Sequence, residues 1–557
     1  MRTIQFVTLL VTSLMASAAG SLQTDRAARV DEIFKEYSRP GSPGCAVGVY
    51  QDDKIALTRA YGMANLDHDI SLTPSSVFHV ASVSKQFTAA AILLLAQDGK
   101  LSLDDEVRKH VPELPDFGKP VTIRHLLNHT GGIRDQWTLL GLGGWRYSRD
   151  LITDADVLSL LSKQKELNFA PGERHLYSNS GFTLLAVIVS RVSGKTFREF
   201  TTERIFAPLG MTHTHFRDNF NEIVKNQAYG YARQRDTFVL STTNFDTAGA
   251  TSLLTTVEDL SKWFNNFDSH AVGGQRFADA LLERGALNSG QRIEYASGIS
   301  HGTYRGLPTV GHGGADAGYR AAFVRFPQQR FGVSVLCNLA QANPSALANS
   351  VADVYLADVL KPMTTPALNN DPEVPVPAEE LKKLAGTYWN DALPAARRFV
   401  FENGRLEAAG SPTQRIPLKS LGNSRFVLTA PPGAYVTFEG DTARTGAAPT
   451  GGDVFTRAAP FAPSATELAA YTGIYRSDEI EPSFQIVLKK DRLVLERLKA
   501  TPAELDPLVA DTFSSQAGVI KFTRDAQGRV TGFVLEAGRI RGMKFWKDTR
   551  SARPSSL

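Results

Sequence analysis

The sequence predicts a layered α+β domain (an α/β sandwich) followed by two small antiparallel β-barrels, and three features carry that reading. From about Asp25 to Leu360, apolar strand-like runs alternate with helical stretches, the pattern of helices packed on a sheet. Between Lys361 and Pro377, five prolines and Asn369-Asn370 break all periodicity and mark a linker. Beyond it, short alternating strands occur twice at one offset. Glu380-Leu381 recurs as Glu467-Leu468, Gly386-Thr387-Tyr388 as Gly473-Ile474-Tyr475, Arg405-Leu406 as Arg492-Leu493 and Phe426 as Phe513, each pair 87 residues apart. The organisation expected is therefore a large domain over 25–360, a linker over 361–378, a β-domain over 379–459 and its repeat over 464–548.

A chain of 557 residues is too long for one hydrophobic core, so several domains are required. Its 61 Lys+Arg against 57 Asp+Glu are spread without long runs of one sign, which gives no footprint for nucleic acid or a polybasic membrane surface. Met1-Arg2-Thr3, an apolar run from Phe6 to Ala16 and the small residues Ala16-Ser17-Ala18 have the order of a secretory signal over 1–18. Export, to the periplasm or outside the cell, is the expectation. No later segment reads as transmembrane, so no stable membrane insertion is expected. Cys45 and Cys337 each lie in an apolar β-branched run. They are read as two buried thiols, with a disulfide as the alternative, and without a His cluster they do not suggest zinc.

The chemistry-bearing pattern begins at Ser76-Val77-Phe78-His79-Val80-Ala81-Ser82-Val83-Ser84-Lys85, a strand-like run entering a helix that is apolar nearly all round and that Gly99 is placed to end. Three residues apart on a helix, Ser82 and Lys85 share a face. A helix N-terminus favours the negative charge of an activated hydroxyl and of an oxyanion. A buried, cation-crowded Lys loses its proton more readily and can act as a base. Ser162-Lys163-Gln164-Lys165 has the same Ser-x-x-Lys spacing but is dense in Lys and reads as a solvated face.

Further on, Tyr177-Ser178-Asn179 precedes a helix through Leu184-Leu185-Ala186-Val187-Ile188. A phenol and an amide two residues apart in an irregular segment can both enter one cleft. Tyr388-Trp389-Asn390 repeats that spacing, but its repeat partner is Tyr475-Arg476-Ser477, so Tyr388 is read as structural. The third element is Gly311-His312-Gly313-Gly314-Ala315-Asp316, where glycines within a strand pattern signal close approach of the backbone to something else. His129-Thr130-Gly131, after Ile123-Arg124-His125-Leu126-Leu127, reads as a helix-ending turn.

These three elements, in this order, resemble the serine β-lactamase and penicillin-binding family, in particular its class C β-lactamase, D-aminopeptidase and esterase branch. The resemblance spans about 25–360 and includes Leu126-Leu127-Asn128-His129-Thr130-Gly131-Gly132-Ile133, Ile205-Phe206-Ala207-Pro208-Leu209-Gly210-Met211 and Thr256-Val257-Glu258-Asp259-Leu260. It implies a β-lactamase/transpeptidase-like catalytic domain in which Ser82 is the nucleophile and Lys85 with Tyr177 the base and proton relay. It further implies Asn179 as positioner of substrate and Lys, His312-Gly313-Gly314 on the substrate-binding strand, and the backbone N–H groups of Ser82 and Ala315 as the oxyanion hole. No metal or cofactor is called for.

Where the family carries Lys-Thr-Gly this chain has His312-Gly313-Gly314. An imidazole of ordinary pKa about 6.5 is mostly neutral at pH 7 and a weak partner for a substrate carboxylate. The expected substrate is accordingly a small molecule or short peptide, cell-wall-derived ones included, cut at an amide bond as in D-amino-acid amides and peptides. Carboxylesterase, weak β-lactamase or DD-peptidase activity is the alternative within the same machinery. A non-catalytic cell-wall-binding or sensor protein is the alternative of another class.

Overall fold

The computed structural model describes residues 24–362, 372–410, 415–429, 433–448 and 450–549. The expected signal segment 1–18 and linker residues 363–371 lie outside the described residues. The chain forms two compact units divided at Lys361 and Pro362.

The first unit is built on a six-stranded antiparallel sheet. Its strands are β1 (Cys45–Gln51), β2 (Lys54–Tyr61), β3 (Ser300–Tyr304), β4 (Leu307–Asp316), β5 (Tyr319–Phe326) and β6 (Phe331–Cys337), in the spatial order β3-β4-β5-β6-β1-β2. The central strands β1 and β6 are the most continuously apolar, and they are buried on both faces. Helix 24–33 and a helix over Pro344–Tyr355 cover one face, joining Val30, Phe34, Val351 and Ala352 to Val47, Val49, Val333 and Val335. The helix over Val257–Ser269 covers the other, where Tyr50 donates to Val257 O at 2.5 Å. Burying such β-branched runs is the main source of stability for this sheet, at roughly 25 cal/mol per Å² of apolar surface removed from water.

Antiparallel pairing of β1 with β6 sets Cys45 directly opposite Cys337, and the two sulfurs are bonded. This corrects the reading of two buried thiols. The apolar flanks that suggested buried thiols are the flanks of two adjacent strands, and strand register brings the side chains together across 292 residues of sequence.

Two helices hold the site. Helix α1 (Ser84–Gln97) has Ser84 through Leu95 buried, as its all-round apolar sequence demands, and it ends before Gly99, whose φ of +69° is the left-handed turn expected there. Helix α2 (Asn179–Ser193) packs beside it and stops at Gly194, φ +71°.

The second unit contains two closed, eight-stranded antiparallel barrels, one spanning Gly386 to Arg457 and the other Gly473 to Lys547. Closure leaves neither barrel an exposed edge. Each is preceded by a short helix, Ala378–Leu384 and Ala465–Ala469. Tyr388 and Tyr475 are fully buried at equivalent places, and each hydroxyl donates four residues back, to Leu384 O at 3.1 Å and Tyr471 O at 2.7 Å. The repeat is thus structural, and Tyr388 is a core residue of its barrel.

Candidate active site

The segment before α1 positions Ser82. A two-residue strand, Phe78–His79, leads into a 3-10 turn over Ala81–Val83, and the α-helix begins at Ser84. Ser82 therefore sits in the turn ahead of the helix, not on the helix itself where the sequence placed it. Ala81, just before it, has φ of +49°, a left-handed conformation that costs a non-glycine residue about 1 kcal/mol. Burial of Ala81 and a hydrogen bond from its N–H to His79 Nδ1 at 3.3 Å hold that conformation. Ser82 remains partly exposed, so a substrate can reach its hydroxyl.

Lys85 follows one turn later, with no solvent exposure. Its ammonium donates to Ser82 Oγ at 3.0 Å, Asn179 Oδ1 at 3.0 Å and Ala250 O at 2.6 Å. The Tyr177 ring lies 5.0 Å from the same nitrogen, and the Phe182 ring 5.6 Å. The structure thus brings Ser82, Lys85, Tyr177 and Asn179 together. Ser162 and Lys165 of the second Ser-x-x-Lys lie apart from them, at and after the end of a different helix, with Lys165 exposed.

Asp135 orients the amide of Asn179. Its Oδ2 accepts from Asn179 N and Nδ2, both at 2.8 Å, while its Oδ1 accepts from Trp137 N at 3.2 Å and Thr138 N at 3.3 Å. A carboxylate only accepts, so Nδ2 must face Asp135 and Oδ1 must face Lys85. Asp135→Asn removes that constraint because the new amide can present a donor. The expected result is a loss of about 10- to 100-fold in kcat with a smaller change in KM, read by steady-state kinetics alongside a thermal melt that reports the fold.

On the other side of the cleft, β4 passes beside the turn that carries Ser82. A β-carbon at Gly314 would fall well inside contact distance of Val80 O and 3.2 Å from Ala81 Cβ, so only glycine allows the approach. Gly313 faces the opposite way: a β-carbon there would lie 3.9 Å from Ser345 Oγ, so its backbone alone can face a substrate. His312, on the same face as Gly314, stands 6.2 Å from the Tyr177 ring and hydrogen-bonds Tyr295 at 2.9 Å. Burial, and then the charge of Lys85, push its pKa down to about 4, so it is neutral at pH 7.

A buried chain of hydrogen bonds joins the residue before Ser82 to the residue after Ala315. Ala81 N–H donates to His79 Nδ1, which leaves His79 Nε2 facing Thr251 Oγ1 at 3.3 Å, and Thr251 in turn donates to Asp316 Oδ2. Desolvation, followed by the Arg217 charge, lowers His79 to about 3. It is therefore neutral and forms no ion pair with Asp316. Burial pushes Asp316 up to about 7 against the opposing pull of Lys85 and Arg320, and among the described residues its Oδ1 has no hydrogen-bond partner.

A carboxyl whose folded pKa lies above its ordinary 3.8 favours the folded state fully at pH below about 4, and that contribution is lost as pH rises to about 7. Asp316→Asn is expected to match the wild-type melting temperature near pH 4 and to exceed it by several degrees at pH 8. Differential scanning fluorimetry across that range checks the sign.

Sequence reasoning missed several participants. Ala250 contributes only a backbone carbonyl, which has no sequence signature. Asp135 belongs to no motif in the sequence. Tyr295 carried no motif. His129, read as a turn residue, does have a turn-like φ of +55°, but its ring also lies 4.1 Å from that of Tyr177 and its Nδ1 accepts from Ser178 N at 3.2 Å.

Residues 30–358 match the family profile described as Beta-lactamase. Protein flp of Staphylococcus aureus (strain MRSA252) is 31% identical over 337 residues, covering 57% of this chain and 64% of that protein, so the match spans less than two thirds of that relative's length. Penicillin-binding protein 4* of Bacillus subtilis (strain 168) is 27% identical over 395 residues, 67% of this chain and 83% of that protein. Among solved structures, the octameric penicillin-binding protein homologue from Pyrococcus abyssi superposes with a TM-score of 0.55 at 22% identity, over 86% of this chain and 98% of its own. D-amino acid amidase from Ochrobactrum anthropi SV3 superposes with a TM-score of 0.51 at 22% identity, over 60% and 99%. At that level of identity the two structures show a shared fold. With the profile covering more than half of its length, the chain belongs to the serine β-lactamase and penicillin-binding-protein family.

Proposed function

We propose that this protein is an exported serine hydrolase that acts through an acyl-enzyme on Ser82, with D-amino-acid amides and short peptides as its main substrates. The observation that carries the reading is the buried Lys85 amine 3.0 Å from the Ser82 hydroxyl. A binding protein has no use for a desolvated amine held against a serine, whereas a nucleophile needs a base at that distance.

In the reaction Lys85 acts in its neutral amine form, one proton having left its ammonium: Ser82 Oγ attacks the substrate carbonyl while its proton passes to the Lys85 lone pair, and Tyr177 relays a proton to the leaving amine as the C–N bond breaks. Water then attacks the serine ester, gives up a proton to the same pair and restores the Ser82 hydroxyl. The Ser82 and Ala315 amides stabilise the oxyanion of both tetrahedral intermediates. Substrate choice follows from His312, which is neutral where a Lys would hold a carboxylate. The similarity of fold to a D-amino acid amidase agrees with this choice. The signal-like residues 1–18 and the Cys45–Cys337 disulfide are both consistent with export to an oxidising compartment.

Hydrolysis of D-alanine p-nitroanilide, a short-chain p-nitrophenyl ester and nitrocefin by wild type and Ser82→Ala, with intact-protein mass spectrometry, tests the proposal. Ser82-dependent cleavage of the anilide with a transient acyl mass supports it. Ester-only turnover makes the protein an esterase. No cleavage and no acyl adduct would leave the cell-wall-binding reading.

A further inference from the structure

We propose that Tyr295 sets the specificity of this cleft: by donating its phenolic hydrogen to His312 Nε2, it fixes the imidazole as a neutral wall without a free N–H and turns the site away from leaving groups that carry a carboxylate. The proposal rests on the amide-hydrolase reading above and names the residue that restricts it.

The hydrogen-bond directions follow from the acceptors. His312 Nδ1 lies 2.6 Å from Gly313 O, and a carbonyl oxygen can only accept, so Nδ1 carries the hydrogen. In a neutral ring Nε2 is then a lone pair, and the Tyr295 hydroxyl at 2.9 Å is the donor that satisfies it. Tyr295 is well suited to that task. It is 5% exposed, its carbonyl accepts from Gly285 N at 2.8 Å, and burial holds its phenol well above the ordinary pKa of 10, so the hydrogen is always present.

The Tyr295 ring is clamped by its neighbours, with centroid distances of 4.7 Å to His129, 5.7 Å to His175 and 6.2 Å, at right angles, to Tyr177. The titratable and charged groups around His312 are Lys85 from α1, Tyr177 from the segment before α2, and Tyr295, with His129 and His175 in contact with Tyr295. Burial and then Lys85 disfavour the imidazolium, and a hydrogen bond donated to Nε2 by Tyr295 needs the neutral ring. With both ring nitrogens engaged, the His312 side chain offers a substrate carboxylate set against it neither a charge nor an unused donor, and the hydration lost there is not compensated by the ring.

The test uses two dipeptides that differ only at the leaving group, D-alanyl-D-alaninamide and D-alanyl-D-alanine, and full-length protein labelled with 15N-histidine. Long-range 1H–15N spectra, with the His312 signal assigned from His312→Gln, are expected to show the Nδ1–H tautomer in wild type from pH 5.5 to 8. Tyr295→Phe removes the donor to Nε2, and the His312 titration is expected to move upward. Wild type is expected to favour the amide by about tenfold or more in kcat/KM. In Tyr295→Phe that preference is expected to shrink at least threefold at pH 5.5, through KM for the acid, and to persist at pH 8.

An Nε2–H tautomer in wild type, or an unchanged preference in Tyr295→Phe at pH 5.5 despite an altered His312 titration, would overturn the proposal. If neither dipeptide is cleaved by either protein, the hydrolase reading fails instead, and the tautomer and its response to Tyr295→Phe decide the role of the pair.

Discussion

Alanine at Ser82 is expected to abolish the acyl-enzyme and lower turnover of a D-amino-acid amide by about 10⁴-fold or more, with the melting temperature unchanged. The hydroxyl is partly exposed and its loss leaves no buried group stranded, because Lys85 keeps Asn179 Oδ1 and Ala250 O as acceptors. Lys85→Met is expected to cost turnover by a similar factor but to behave differently in the melt. It withdraws the ammonium that serves Ser82, Asn179 and Ala250, and each buried acceptor left unpaired costs about 1–3 kcal/mol. The double variant is expected to be no slower than the worse single one, since the two groups act as one device. Burst-phase kinetics, intact mass and thermal melts of the three variants check this. Additive losses in turnover would show that Lys85 does not act on Ser82.

The second large effect is expected from a single methyl group. Gly314→Ala places a β-carbon against Val80 O and 3.2 Å from Ala81 Cβ, so β4 must back away from the nucleophile turn and carry the Ala315 amide with it. Loss of one oxyanion donor elsewhere costs about 10²- to 10³-fold in kcat, and a comparable loss is expected here. A boronic acid that mimics the tetrahedral adduct should lose affinity in parallel, while KM for substrate changes little. Gly313→Ala makes the same chemical change one residue away. Its β-carbon meets nothing closer than Ala321 O at 3.8 Å and Ser345 Oγ at 3.9 Å, and it is expected to cost far less. Equal losses at the two positions would mean that strand propensity, not the approach to Val80, governs the effect.

Some of the molecule could be read directly because its cause is local. An apolar sequence on all sides of 86–95 can only be a buried helix, and a serine three residues before Lys85 stays one turn away from it whether that turn is α or, as here, 3-10, so Ser82 and Lys85 meet. The α-helix begins only after Ser82, at Ser84, because the turn at Ala81–Val83 is tightened by His79 and by packing against Gly314, neither of which is a helix signal. The barrels were legible for a different reason. A repeat at constant offset reports two copies of one unit even when neither copy can be derived alone, and the matching bonds of Tyr388 and Tyr475 show that the two barrels have equivalent but separate cores.

By itself, then, the sequence determined the layered first unit, the twin barrels and the Ser82–Lys85 pair, and its resemblance to a known family added Tyr177 and Asn179 to that pair. Tertiary structure alone decided the rest. The join of Cys45 to Cys337 follows from strand register. The aim of the Asn179 amide comes from Asp135, 44 residues away, and the third partner of Lys85 is a carbonyl 165 residues away. The state of His312 depends on Tyr295, which belongs to no motif. The physical reason is common to all four. Periodicity and spacing record which face of an element is apolar and which side chains share a turn, whereas a hydrogen bond or disulfide between distant segments exists only once the sheet has chosen its register and the helices have closed over it.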